Sequence, residues 1–283
     1  MCNTIGGMAQ VSVGVRGQPQ ELVLTLFGAY VQPRSRAVWS GGLVTLLGEF
    51  GITPGAARVA LTRLAARGML GRAKAGRLVH YSITPRTAGI LAEGDARIFS
   101  LGQARDDGDV WTVLWHTIPE DRRLDRARVT RRLRFLGFGA IQDGAWIAPR
   151  DHEKELAGLL AELRLLDYAS VFVGRPSAAL DPHRLVARAW DLDGLAARYG
   201  EFVRQFGEFD DPAARRRLSD RQALQVHTQL VHTFRQFPSL DPELPTDLVP
   251  PPPSRTGAIA LFHDLYAALA PSAQRYFEQV TSP

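Results

Sequence analysis

Residues 51–70 read GITPGAARVALTRLAARGML, and this stretch predicts a helix with two chemically different faces. Thr53 is suited to accept a hydrogen bond from the free amides of the first turn, Pro54 fits the first helical position, and Gly68 fits the end of the helix. Alanines and leucines recur at helical spacing, which marks one face as buried. The opposite face is therefore left for a partner.

Two helices are predicted before this stretch and a hairpin after it. Residues 21–31 carry an apolar stripe typical of a first helix, and Ser40 is placed to cap a second helix over residues 41–50. Gly51 permits the positive φ that a tight link between two helices can require. Residues 69–83 form two short extended runs around the basic turn KAGR. Three helices followed by a hairpin predict a winged helix-turn-helix unit.

The predicted DNA contacts lie on the third helix and at the hairpin tip. An arginine can chelate a guanine edge or hold a phosphate, so Arg58 and Arg63 are the main candidates. The alternative is that both are solvated surface arginines, and a simple charged turn is the alternative at the hairpin tip. The full predicted set is Arg58, Val59, Thr62, Arg63, Arg67, Lys74 and Arg77.

The excess of positive charge lies in the N-terminal residues 1–100, which include this predicted unit. The net charge is +5, yet residues 1–100 hold eleven Lys or Arg against four Asp or Glu, whereas residues 101–283 hold twenty-three against twenty-five. Neutralising phosphates releases counterions, so a basic segment is attracted to nucleic acid. A general preference for Arg over Lys, thirty-two to two, explains the number of arginines but not their uneven distribution.

Composition favours a soluble cytoplasmic protein. The chain is 45% apolar and 22% charged, no apolar run approaches the roughly 18 residues that span a bilayer, and residues 1–17 lack an export signal pattern. The only cysteine is Cys2, which excludes intrachain disulfides and thiolate metal sites. No nucleophile elbow, phosphate loop or dinucleotide fingerprint is present, so we predict no catalytic residues, no metal and no cofactor.

Four segments are predicted along the chain, and together they make an α+β protein. Residues 1–18 form a flexible tail, and residues 19–104 form the winged helix-turn-helix domain with a connecting helix that begins at Pro85. A loop over residues 105–109 precedes a domain over residues 108–176, where strand and helix patterns alternate as strand–helix–strand–strand–helix–strand. That order predicts a ferredoxin-like domain.

Residues 182–283 predict an all-α domain. Helical periodicity covers residues 192–206, 212–237 and 256–269, with a possible extension over residues 272–280. Prolines at positions 238, 242, 245 and 250–253 define an extended connector.

An arginine-rich helix and three aromatic residues are the candidates for binding a small effector. Arginines on the exposed side of the helix over residues 122–136 suit the phosphates of a coenzyme A nucleotide or flanking DNA. The alternatives are a solvated basic face for the arginines and core packing for the aromatic residues. The candidates are Arg128, Arg131 and Arg134, and Trp146, Trp190 and Phe234.

Several short segments resemble the PaaX-like transcriptional repressors of phenylacetic acid catabolism. In chain order they are GEFGI (48–52), RVALTRL (58–64), LGFG (136–139), WIAPRD (146–151), WDLD (190–193), FRQFP (234–238), LDPELP (240–245) and LY (265–266). The resemblance extends from about residue 21 to residue 280. It implies a homodimer on double-stranded operator DNA, released by an acyl-CoA intermediate, phenylacetyl-CoA in the namesake members.

Two rival functions are weighed against a repressor. Small metal-dependent nucleases of the CRISPR adaptation type are similar to the middle domain and use an aspartate at the end of the first strand. Here that strand ends WHTIP (115–119), without a carboxylate to hold Mg²⁺. The other rival is a regulator or activator that binds DNA without any ligand.

Overall fold

The structure is a computed structural model that describes residues 18–34, 37–103, 110–177, 179 and 181–283. Residues 1–17 of the predicted tail and the predicted loop over residues 105–109 lie outside the described residues. Helices combine with two small antiparallel sheets, so the predicted α+β class is confirmed. The chain divides into two compact units, each assembled from separate stretches. The domain limits predicted from the sequence stay predictions.

The helices and strands follow each other in this order. The α-helices are α1 (Pro19–Leu26), α2 (Ser40–Gly48), α3 (Pro54–Ala66), α4 (Pro85–Ser100), α5 (Arg123–Phe135), α6 (Glu153–Glu162), α7 (Pro182–Ala189), α8 (Leu192–Phe206), α9 (Pro212–Arg216), α10 (Asp220–Phe234) and α11 (Arg255–Thr281). The strands are β1 (Val38–Trp39), β2 (Leu70–Ala75), β3 (Leu78–Ile83), β4 (Trp111–His116), β5 (Gly139–Gln142), β6 (Ala145–Ala148) and β7 (Ala169–Gly174).

Three expectations from the sequence differ in detail from the structure, and a fourth is confirmed. The first helix continues beyond α1 as a π-helical stretch, Phe27–Val31. Ser40 is the first residue of α2 and makes no capping bond, because Trp39 occupies the N-cap position. The single helix predicted over residues 212–237 is two helices, α9 and α10. The extension over residues 272–280 is confirmed as part of α11, which continues through Pro271.

The first unit groups the described residues up to Asp95 with Phe206–Thr233 and Phe262–Pro283. Its sheet has the order β1-β3-β2, all antiparallel, and β1 has no counterpart in the sequence expectation. The core joins α1, α2 and α3 to Leu224 of α10 and to Ala273 and Phe277 of α11. Two late segments of the chain thus complete the core of the N-terminal helices.

A buried polar contact ties the first helix to α10 in this unit. The Tyr30 hydroxyl lies 2.9 Å from Nδ1 of His227 and 2.8 Å from the hydroxyl of Thr228. Tyr30 also stacks on Phe277, with 5.0 Å between the ring centroids. Because buried polar groups are costly without partners, these bonds fix which residues of α10 meet the first helix.

The second unit groups Ala96–Gln205 with Phe234–Leu261 and contains a four-stranded antiparallel sheet. The order β5-β6-β4-β7 follows from the predicted strand–helix–strand–strand–helix–strand succession. Gly144 has φ +74°, which suits the Asp-Gly turn between β5 and β6. Leu114 and Leu133 belong to the core formed by one sheet face with α5 and α6, whereas Trp111 and Ile147 belong to a second apolar cluster that includes Val186 of α7.

Among the described residues from 181 onward no strand occurs, in line with the all-α expectation. Within the second unit, Tyr199 of α8 stacks on Phe237 at 4.2 Å, and its hydroxyl donates to Asp241 at 2.6 Å. Burial is the largest cause that raises the pKa of Tyr199, and the neighbouring Asp241 raises it further. The connector therefore begins with a segment that is hydrogen-bonded to the helices.

Candidate DNA-binding surface

The start of α3 is fixed by the residues that predicted it. Gly51 adopts φ +77°, a backbone conformation that is strained for residues with a side chain. The turn at Gly51 leads directly to Thr53. Thr53 is the N-cap, and its hydroxyl accepts a hydrogen bond of 3.3 Å from the amide of Ala56. Pro54 occupies the first turn, where its missing amide hydrogen costs nothing. The direction of α3 after α2 is thus set locally.

The two faces of α3 separate as predicted. Ala57, Ala60, Leu61 and Leu64 are buried, and the small alanines let α3 lie close to α1 and α2. The residues predicted to face DNA on this helix are all exposed: Arg58, Val59, Thr62, Arg63 and Arg67. Val59 is 49% exposed, so an apolar side chain stands in solvent between arginines. A valine there is suited to contact a thymine methyl group.

The arginines of α3 differ in how they are held. Among the residues that the structure describes, Arg58 and Arg63 have no ion pair or hydrogen bond to another side chain. Arg67 instead donates to the Gln20 amide oxygen at 3.0 Å. A guanidinium without an internal partner reaches a phosphate or a base without first breaking a bond. Arg58 and Arg63 are therefore the better placed of the three.

The hairpin carries the other predicted cations. β2 and β3 pair from Leu70↔Ile83 to Ala75↔Leu78, and Gly76 turns with φ +60°. Lys74 and Arg77 are exposed at this tip. Arg72, which the sequence reasoning missed, is exposed two residues before Lys74 and therefore on the same side of the strand. Its spacing of two within an extended run was the signal that could have identified it.

Two threonines hydrogen-bond the base of the hairpin to the residues that end α3. Thr84 donates from its hydroxyl to the carbonyl of Gly68 at 3.0 Å, and Thr87 donates to the carbonyl of Met69 at 2.6 Å. Gly68 itself has φ +67°, the left-handed conformation that ends α3. The hairpin is thus hydrogen-bonded to the same residues that close the helix.

The turn between α2 and α3 is held by side chains from the far end of the chain. Glu49, whose side chain is 9% exposed, accepts bonds from Arg221 at 2.7 Å, from Gln225 at 3.1 Å and from the Tyr276 hydroxyl at 3.2 Å. These partners lie on α10 and α11. From the sequence no contact is predicted for Glu49, because its partners are more than a hundred residues away.

The effector candidates fall in different places of the second unit. Arg131 and Arg134 are exposed on α5 without an ion pair among the described residues, whereas Arg128 pairs with Asp125 at 3.2 Å.

The structure does not bring the three aromatic candidates together. Trp146 packs in the core beneath α5 and α6, and Trp190 packs in the apolar cluster with Trp111 and Ile147. Phe234 is fully buried against Phe202. Trp146 and Phe234 are buried in separate cores, and Trp190 is partly buried against a third apolar cluster.

A cavity of about 880 Å³ lies in the second unit, along the proline-rich connector. Arg150 and Arg255 line it, and both are paired to Glu243, at 2.6 and 3.3 Å. None of the six effector candidates lines this cavity.

Two further properties concern the described residues as a whole. They contain no group of three or more His, Cys, Asp or Glu side chains arranged to hold a metal ion. None of their helices is both long and apolar enough to cross a membrane.

Comparison with known proteins gives a consistent result along the chain. Residues 18–87 match the family described as PaaX-like protein, residues 104–186 match the PaaX protein central Cas2-like domain, and residues 190–279 match the PaaX-like protein C-terminal domain. The transcriptional repressor PaaX of Escherichia coli K12 is 26% identical over 263 residues, which cover 91% of this chain and 82% of that protein.

A solved structure gives independent support for the fold. It is an uncharacterised protein from Mycobacterium tuberculosis, 22% identical, with a TM-score of 0.54 over 92% of this chain and 98% of the other. At this identity the likeness concerns the fold alone.

Proposed function

This chain belongs to the PaaX-like family, and from that premise we propose that it is a sequence-specific DNA-binding transcriptional regulator that acts as a repressor. The observation that carries the proposal is the exposed face of α3, where Arg58 and Arg63 stand without internal partners among the described residues. The name of the Escherichia coli relative supports the repressor role. The proposal describes a binding protein and assigns no enzymatic step.

In this proposal α2, α3 and the β2–β3 hairpin act as a winged helix-turn-helix. α3 enters the major groove, with Arg58, Val59, Thr62 and Arg63 toward the base edges. Arg72, Lys74 and Arg77 of the hairpin contact phosphates or the minor groove, and Arg67 keeps α3 joined to α1 through Gln20. The hydrogen bonds of Thr84 and Thr87 hold the hairpin at a fixed place relative to α3.

The test compares single arginine variants on the DNA that the protein selects. Duplexes are first identified by sequencing the genomic fragments recovered with the purified protein, and affinity is then measured by fluorescence anisotropy. Arg58→Ala and Arg63→Ala are each expected to weaken binding roughly 5- to 150-fold, the range of a lost base or phosphate contact. Arg198→Ala removes an exposed arginine from α8 and serves as the control, with affinity within twofold of wild type.

Salt dependence then separates the two kinds of contact. Loss of a phosphate contact lowers the slope of log affinity against log salt by about one, whereas loss of a base contact relaxes specificity at one position and leaves the slope unchanged. If both variants bind the selected duplex as tightly as wild type, this surface is not the DNA-binding surface.

The effector, the dimer and the location are proposed on the family resemblance. We propose a cytoplasmic homodimer on an imperfect palindrome, released by an acyl-CoA, with the exposed Arg131 and Arg134 and the paired Arg128 as the candidate phosphate contacts. Trp146, Trp190 and Phe234 no longer support one aromatic pocket, because each packs in a different apolar cluster. A thermal-shift series with phenylacetyl-CoA and other acyl-CoAs tests the effector. Binding to the folded state raises the melting temperature by mass action, and Arg131→Ala with Arg134→Ala is expected to reduce that rise.

A further inference from the structure

Glu49 is a carboxylate in an otherwise basic part of the chain. It is one of only four acidic residues among residues 1–100, and it lies four residues before Thr53, the N-cap of α3. A negative charge beside a surface that binds phosphates weakens binding to any duplex, because like charges repel. Attraction to DNA therefore does not account for Glu49, whereas its contacts in the first unit do.

Both carboxylate oxygens of Glu49 are held by side chains of α10 and α11. Arg221 donates to Oε2 twice, from Nε at 2.8 Å and from a terminal nitrogen at 2.7 Å. Gln225 donates to the same oxygen at 3.1 Å, and the Tyr276 hydroxyl donates to Oε1 at 3.2 Å. Hydrogen bonds to a charged acceptor are stronger than neutral ones, and the Glu49 side chain is only 9% exposed. The turn before α3 is therefore fixed relative to two helices at once.

Packing and hydrogen bonding constrain α3 in different ways. Leu61 of α3 shares a core with Leu224 of α10 and Phe277 of α11. Contacts between apolar side chains are non-directional, so they bury one face of α3 and leave its angle less well defined. Hydrogen bonds have preferred distances and angles, so the bonds of Glu49 define where the turn lies.

A small change at the turn becomes larger along α3. At about 1.5 Å per residue, Arg63 lies about 13 Å from the start of the helix, and a rotation of about 10° around that start would move Arg63 by about 2 Å. The range of N–H···O distances in good hydrogen bonds is only about 0.5 Å wide. Such a rotation would break base contacts while the longer-range attraction to phosphates remained.

We propose that Glu49 is a positioning residue for sequence recognition. Bonded to α10 and α11, it fixes the angle at which α3 enters the major groove and does not touch the DNA itself. The inference rests on the proposed function, in which Arg58 and Arg63 of α3 contact the duplex. It adds that residues of α10 and α11 set part of the specificity of α3.

The ratio of two affinities tests this role. Fluorescence anisotropy of the full chain gives the affinity for the selected duplex and for an unrelated duplex of equal length. Glu49→Gln keeps the size of the side chain and removes its charge, and it is expected to lower the ratio at least about fivefold, the lower end of the range for a lost base contact. Loss of repulsion alone would raise both affinities, and partial unfolding would lower both by the same factor, so neither changes the ratio.

Asp220→Asn is the matched control. Asp220 accepts two bonds from Arg275, at 3.0 and 2.8 Å, and thus also joins α10 to α11 through an arginine and a carboxylate. This pair does not include the turn before α3, so the affinity ratio of Asp220→Asn is expected to stay within twofold of wild type. An equal loss of specificity in Asp220→Asn and Glu49→Gln would contradict the inference, because any loosening of α10 and α11 would then suffice.

A double-mutant cycle shows whether Arg221 acts through Glu49 or on the DNA itself. Arg221→Gln alters a 60% exposed side chain, so it also provides the test if Glu49→Gln fails to fold. We expect Arg221→Gln to lower the ratio as Glu49→Gln does, and the double variant to lower it no further than either single variant. Additive losses, or an unchanged ratio in Arg221→Gln with a salt slope lower by about one, would overturn the inference, because Arg221 would then act independently of Glu49.

The outcomes also separate this inference from the proposed function. If wild type does not distinguish the selected duplex from the unrelated one, sequence-specific binding fails and the inference fails with it. If Arg58→Ala weakens binding as expected while Glu49→Gln keeps the wild-type ratio, the function stands and the inference is wrong.

Discussion

At the scale of single residues, His227 shows how far burial in the first unit changes the pKa of a side chain. Its ring lies 2.9 Å from the Tyr30 hydroxyl and 4.9 Å, centroid to centroid, from the ring of Tyr266. Burial lowers the pKa of His227 to about 4, and burial also raises the pKa values of Tyr30 and Tyr266. The imidazole is therefore neutral in the folded protein at neutral pH, and it remains so well into the acid range.

This shift predicts a pH-dependent free energy of unfolding. Below pH 6.5 the unfolded chain binds a proton at His227 that the folded chain does not bind until about pH 4. Stability from this group is therefore complete above pH 6.5 and falls progressively as the pH drops to 4, by on the order of 3 kcal/mol.

Urea unfolding of wild type and His227→Gln at pH 7.5, 6 and 5 measures this contribution. The wild type is expected to be the more stable at pH 7.5, and its advantage is expected to shrink at each lower pH. The exposed His183→Gln is the control and should show no such trend. An advantage that is the same at all three pH values contradicts the assignment.

At the scale of elements, α2 and the end of α11 approach each other more closely than side chains allow. A Cβ placed on Gly42 would lie 2.4 Å from the carbonyl oxygen of Val280 and 2.6 Å from Cα of Thr281. Both are backbone atoms, so neither can move away by a change of side-chain rotamer. Gly48, at the other end of α2, has nothing within 4 Å of its Cβ position. In α2, close packing against α11 requires a glycine at position 42, whereas no neighbour requires a glycine at position 48.

Alanine at the two positions is expected to have opposite effects on stability. Gly42→Ala forces α2 and α11 apart, and overpacking of this kind costs about 1–3 kcal/mol. Gly48→Ala meets no neighbour and is expected to be neutral or to stabilise by up to about 1 kcal/mol, since alanine favours helix over glycine. Thermal unfolding followed by circular dichroism compares the two. A Gly42→Ala protein as stable as Gly48→Ala would mean that the contact is not made.

At the scale of the whole molecule, the elements that we propose to bind DNA do not form their core from the N-terminal residues alone. Leu224, Ala273 and Phe277 belong to the same hydrophobic core as α1, α2 and α3. Glu49, at the turn before α3, is held by Arg221, Gln225 and Tyr276. The position of α3 thus depends on residues from both ends of the chain.

Truncation tests this dependence. A chain that stops after residue 261 loses Ala273 and Phe277 from the core. Loss of a single buried phenylalanine side chain costs about 3–5 kcal/mol, a large part of the roughly 5–15 kcal/mol that stabilises a typical domain. We therefore expect the truncated chain to lose cooperative thermal unfolding of the first unit and specific DNA binding.

The control removes only the exposed Ser282 and Pro283, which should leave both properties intact. A fragment of residues 18–104 gives the converse measurement. If it unfolds cooperatively and binds the selected duplex with full affinity, α10 and α11 are dispensable for folding of the N-terminal residues and for DNA binding.

Local chemistry made much of the N-terminal half and the middle domain predictable. The Thr53 cap, the prolines at helix starts, and the turns at Gly76 and Gly144 act within a few residues, and each was found where the sequence placed it. The strand β1 and the break between α9 and α10 were missed. A two-residue strand carries almost no periodicity, and the break at residues 217–219 contains neither glycine nor proline.

The sequence by itself determined most of the succession of helices and strands, the buried and exposed faces of α3, and the family. All of these follow from periodicity, caps and short motifs that a chain expresses locally. Only the tertiary structure decided that Glu49 meets Arg221, that α11 completes the N-terminal core, and that three aromatic candidates lie in separate apolar clusters. The physical reason is that burial and hydrogen bonding join residues far apart in the chain, and no local pattern records which distant residues will meet.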